Sequence, residues 1–86
     1  MPQISRFFGI IISMFFNDHN PPHFHARYGE FEALISIEDF SVIEGSLPSR
    51  ALGLVIEWAS IHKKMLAEDW ELVKNNNSPK QIDPLK

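Results

Sequence analysis

Between Ile10 and Phe16 both parities are apolar, with Ile10, Ile12, Met14 and Phe16 on one and Ile11 and Phe15 on the other. A central strand covered on both faces, or largely so, has this pattern, and its β-branched and aromatic content favours strand over helix. A turn cluster from Asn17 to Pro22 then breaks the chain, because two consecutive prolines cannot continue a ladder and hold the backbone extended. That stiffness gives His19 a fixed mount. Residues 23–37 follow, divided by Gly29 and Glu30. With glycine first in a two-residue loop, they read as a hairpin closed by a type II′ turn. The register sets Tyr28 opposite Phe31, Arg27 opposite Glu32, Ala26 opposite Ala33, His25 opposite Leu34, Phe24 opposite Ile35 and His23 opposite Ser36. One face then carries Phe24, Ala26, Tyr28, Phe31, Ala33, Ile35 and Ile37. The other carries His23, His25, Arg27, Glu32, Leu34, Ser36 and Glu38. The histidines are expected to point away from the main core, with Glu32 engaged by Arg27. A further strand, Ser41 to Glu44, turns back beside the preceding one.

Gly45, Ser46, Leu47 and Pro48 mark a helix start, with Pro48 at the first helical position, where a missing N–H costs nothing. Leu52, Val55, Ile56, Ala59, His62, Leu66, Trp70 and Val73 then recur at intervals of three and four, which predicts helix from about Ser49 to Lys74 lying on the apolar sheet face. A break near His62 to Lys64 is expected, since an unbroken helix of that length would overhang short strands. Asn75 to Pro79 end it, and Ile82 and Leu85 are spaced to dock as an edge segment demoted by Pro84. The stripe puts Trp70 in the core and leaves Trp58 off it beside Ile61 and Met65, an exposed ridge suited to a partner. The fold class is therefore α+β: a small antiparallel sheet of three to five strands packed against a C-terminal helix or helix pair.

Composition narrows the picture. Eighty-six residues at 44% hydrophobic and 22% charged make one domain, 1–86. There is no cysteine, which excludes a disulfide scaffold, a thiolate zinc site and a cysteine nucleophile, and fits a reducing cytoplasm. A formal charge of −3 disfavours nucleic acid as a partner, since a sequence-blind coat needs a basic stripe. The apolar run from Phe7 to Phe16 is about half of what a bilayer span requires, and no small-residue cleavage site follows it, so membrane and secretory readings are set aside. Glu30, Glu32, Glu38, Asp39 and Glu44 make residues 30–45 acidic, with no Lys or Arg among them. The glycines stand isolated at 9, 29, 45 and 53, so no phosphate-cradling loop exists. No Gly-x-Ser-x-Gly elbow is present either.

The candidate chemistry lies in His19, His23 and His25, spaced His-x3-His-x-His. His23 and His25 are two apart on one strand, so their side chains share a face about 6 to 7 Å apart at the backbone. Such a pair chelates a divalent transition metal when a third imidazole and a carboxylate join it, and Asp18 or Glu30 is near enough in sequence. The metal set is His19, His23, His25 and Asp18. A metal-free alternative makes His23 and His25 acid and base, with Arg27 steadying a developing anion and Tyr28 or Asp18 orienting. The plainest reading is a solvated polar face. His23, His25 and Glu30 also meet half of the cupin pattern, but no glycine stands six residues past Glu30 and the helix leaves too few strands for a jelly roll. His62, on the helical stripe, reads as a hydrogen-bonded core residue.

The opening Pro2, Ile4, Ser5, Arg6, Phe7, Phe8, Gly9, the Asp18 to His25 stretch DHNPPHFH, the Tyr28-Gly29-Glu30 turn, the Leu47 to Trp58 stretch LPSRALGLVIEW and the closing Ile82, Pro84, Leu85 resemble a prokaryotic family catalogued as a domain of unknown function, number 4160. The resemblance covers nearly the whole chain. It implies one half of a two-gene pair, an arrangement similar to toxin–antitoxin loci, and hence a small protein partner or a homo-oligomer. It assigns no reaction. Two functional expectations stand: a histidine-centred site doing metal or acid–base chemistry, or a non-enzymatic interaction module using the hairpin face or the Trp58 ridge.

Overall fold

In the computed structural model, which describes residues 3–16 and 19–86, five antiparallel strands form one sheet in sequence order. They are β1 (Gln3–Phe7), β2 (Ile10–Ser13), β3 (His23–Tyr28), β4 (Phe31–Ser36) and β5 (Val42–Gly45), followed by α1 (Ser49–Ile61) and α2 (Lys63–Lys74). The α+β expectation holds with five strands and a helix pair. The β3–β4 hairpin has the register its alternation sets, from Tyr28 opposite Phe31 to His23 opposite Ser36. Gly29 has a φ of 60°, as the first central residue of that turn needs.

The structure departs from the sequence reading in small ways, with Pro48 as the N-cap of α1 rather than its first residue and β5 one residue later than expected, and in larger ones. β2 ends at Ser13 rather than Phe16, although Met14 stays buried. The strand β1 precedes it and was missed, joined to β2 by Phe8 and Gly9 at φ values of 50° and 80°. Positive φ at both central residues is the type I′ pattern, which favours Asn-Gly, and a bulky residue there costs about 1 kcal/mol or more. The largest departure is Trp58, which is 0% exposed and forms no ridge. Its ring lies between Phe7 and Phe24, at centroid distances of 5.4 and 5.9 Å. Its Nε1–H donates to the Asp83 carbonyl at 2.8 Å. The buried stripe of α1 is Ala51, Val55, Trp58 and Ala59, the helix is interrupted at His62, and α2 carries the stripe on through Leu66, Asp69, Trp70 and Val73 at unbroken intervals of three and four. A stripe through Leu52 and Ile56, which are only half-buried, in place of Ala51 and Trp58 is rotated around the helix by enough to turn Trp58 outward. Ile61 and Met65 are exposed, as expected.

The sheet has one covered and one open edge. After α2 the chain returns to β1: Ile82 N–H donates to the Ile4 carbonyl at 2.8 Å, and the Gln81 side-chain amide donates to the Gln3 carbonyl. Buried Asp69 secures this segment by accepting the Lys80 N–H at 2.9 Å through Oδ1. Burial holds the Asp69 carboxyl above its ordinary pKa, with the Glu68 charge adding to the effect. At the other edge, β5 is exposed throughout and pairs only with β4.

Candidate histidine site

Alternation along β3 puts Phe24 and Ala26 on the face covered by Trp58 and aims His23, His25 and Arg27 at the other. Neighbouring strands complete that second face. His25 lies between Ser13 of β2 and Leu34 of β4, and Arg27 lies between Ile11 and Glu32. Phe15, two residues past Ser13, brings its ring edge-on to His25, with centroids 4.3 Å apart at 85°.

The two imidazoles are unequal. His23 is only 5% exposed, a correction to its expected place on an open face. Its ring lies 5.3 Å from that of Trp70, which α2 carries over the first residue of β3. The sequence placed Trp70 in the core correctly, but not its contact with His23. The His25 side chain is 15% exposed and its ring centre is 5.3 Å from that of His23.

Hydrogen bonds set the tautomers. His23 Nδ1 lies 2.8 Å from the Pro21 carbonyl, which only accepts, so the proton sits on Nδ1 and Nε2 carries the lone pair. His25 Nδ1 lies 3.4 Å from Glu32 Oε2, and the carboxylate sets the same tautomer more loosely. Glu32, expected against Arg27, is thus turned toward His25. His19 is exposed in the loop before β3, and Asp18 lies outside the described residues. Glu30 stands at the turn that closes the far end of the hairpin, away from His23. Among the described residues no group of three or more His, Asp and Glu is disposed to hold a metal ion. What comes together is the pair His23 and His25, with Glu32 behind one ring and the Pro21 carbonyl behind the other. The Phe15 contact was available in the sequence, since Phe15 shares the parity of Ile11 and Ser13.

A five-stranded antiparallel sheet with two C-terminal helices, and a histidine pair on the strand after an Asn-Pro-Pro loop, defines a small α+β domain with one polar, histidine-bearing face. Residues 9–71 match the family described as Domain of unknown function (DUF4160), and the chain belongs to that family. No curated protein and no solved structure matches it. The matched span holds the histidine site, α1 and most of α2, and leaves out β1 and the segment that covers its edge. No helix among the described residues is long and apolar enough to cross a membrane.

Proposed function

We propose that His23 and His25 form the core of a divalent transition-metal site, completed from the preceding loop by His19 and Asp18. The observation that carries this reading is the disposition of the two rings. Two imidazoles bound to one tetrahedral zinc at about 2.0 to 2.1 Å have ring centres about 5 Å apart, and these stand at 5.3 Å. The outer partners agree with it. A metal-bound histidine ordinarily donates its other N–H to a backbone carbonyl or a carboxylate, as His23 does to Pro21 and His25 to Glu32. With three of these four residues on a tetrahedral ion one position stays open for water or substrate, and Arg27 on the same face suits an anionic one.

Elemental analysis of untagged protein and calorimetric titration with zinc, nickel and cobalt test this. Binding at micromolar concentrations or below is expected, lost in His23→Ala and in His25→Ala and weakened about tenfold to a hundredfold in Glu32→Gln. Protein that carries no metal and shows no saturable uptake at tens of micromolar would sink the proposal.

A second reading has its own support in the Glu32 carboxylate on His25 Nδ1, the arrangement by which an acid fixes the tautomer of a general base. In it His25 takes the proton, His23 returns it and Arg27 steadies the anion. A metal-free protein whose activity, or toxicity on expression, is lost in His25→Ala and reduced in Glu32→Gln would favour it over the metal site. On either reading the module works in the cytoplasm beside a small protein partner, which the paired-gene resemblance supports. Co-expression with the neighbouring gene product followed by light scattering tests that part.

A further inference from the structure

The end of the sheet far from the histidines carries three exposed aromatic rings. Phe8 is 59% exposed at the β1–β2 turn, and Tyr28 and Phe31 are 40% and 46% exposed where β3 and β4 meet. Phe8 stands at a left-handed position where asparagine would serve the turn better, and its ring faces water. The ring meets Phe7 edge-on at 6.4 Å yet stays mostly in water, a small return for a bulky residue in strained backbone, which points to a task outside the fold. Gly9 lies against the Tyr28 ring, at ordinary contact distance even for a Cβ, and it is the φ of 80° that calls for glycine there.

Beside these rings opens a cleft of about 380 Å³, lined by Phe8, Ile10, Tyr28, Pro48, Arg50, Ala51 and Leu54. Its lining is aromatic and aliphatic except for one cation. The ion pair between described residues is His25 with Glu32, so Arg50 has no carboxylate of its own among them. A concave apolar site with a single convergent charge is the ordinary form of a small-ligand pocket, and this volume is at the lower end of that range. A planar guanidinium pairs best with a planar carboxylate.

We propose that this cleft binds a small amphipathic carboxylate, with an apolar body of one or two rings against Phe8, Tyr28 and Leu54 and its carboxylate on Arg50. The site is separate from the histidine pair. Tyr28 and His23 stand at opposite ends of β3, about 17 Å apart along the strand and on opposite faces.

Nitrogen–proton correlation spectra of the folded chain, titrated with 2-naphthoate and its neutral counterpart 2-naphthamide, test the proposal. Naphthoate should give saturable shifts at the amides of Phe8, Gly9, Tyr28, Arg50 and Leu54, with a submillimolar Kd. The amide should bind at least about tenfold more weakly, and Arg50→Gln should lose that factor for the acid alone. Phe8→Asn restores the turn preference, so it stays folded and should weaken both ligands. His25→Ala should bind both unchanged. Shifts that do not saturate, shifts confined to the histidine face, or equal affinity for acid and amide would overturn the proposal.

Discussion

The two faces of β3 show how one strand divides stability from chemistry. On one, Phe24 and Ala26 are sealed beneath Trp58, whose polar atom is satisfied by the Asp83 carbonyl. On the other, His25 and Arg27 meet Ser13, Leu34 and Glu32 across the strands, and no ring as large as Trp58 closes over them. A period of two lets adjacent residues serve unrelated ends, so a change on one face leaves the other nearly untouched. His23 is the exception. It has the parity of the polar face and the burial of the core, because Trp70 folds over the strand end.

The comparison breaks hardest at Trp58. Replacing it with alanine removes the ring between Phe7 and Phe24 and should cost about 3 to 5 kcal/mol, enough by thermal or urea unfolding to leave the domain marginal. Next comes His23→Ala, which loses the Trp70 contact and the bond to Pro21. About 1 to 3 kcal/mol is expected in the same measurement. Asp69→Asn acts in the other direction. Because burial raises the folded-state pKa of Asp69, the stability linked to its proton is fully present below the unfolded carboxylate value of about 3.9 and is lost as pH rises through the raised value. The amide keeps the acceptor for the Lys80 N–H and carries no charge. The variant should therefore melt higher than the native protein at pH 7, with the difference closing toward pH 4. Smallest is His25→Ala, expected within about 0.5 to 1 kcal/mol. A loss as large as that of His23→Ala would show that the polar face is part of the core after all.

The hairpin was legible because Gly29 set the turn and a glycine-first loop admits one register for the alternation that follows. The break at His62 was legible from length alone. Trp58 was misplaced because large residues drew the stripe through Leu52 and Ile56, whereas the face that packs on the sheet runs through the small Ala51 and through Trp58 itself. β1 was missed because its turn is Phe8-Gly9, a pair that does not announce a type I′ hairpin as Asn-Gly does. Of the site, strand parity gave the shared orientation of His23, His25 and Arg27 directly. The burial of His23 depends on the course of α2 after a break, a tertiary fact that local spacing does not encode. The turn of Glu32 from Arg27, directly opposite it, to His25, its diagonal neighbour, goes against the closer cross-strand pairing, which is why alternation pointed to Arg27.

The return of residues 80–83 to β1 joins two segments separated by almost all of the intervening fold. The Ile4 carbonyl waits for the Ile82 amide, and Trp58 in mid-chain waits for the Asp83 carbonyl. Until those residues leave the ribosome, the nascent domain presents β1 as an unguarded strand beside an incompletely sealed indole. In the interval between making α2 and making residues 80–83 the chain is open to pairing with another polypeptide along that strand.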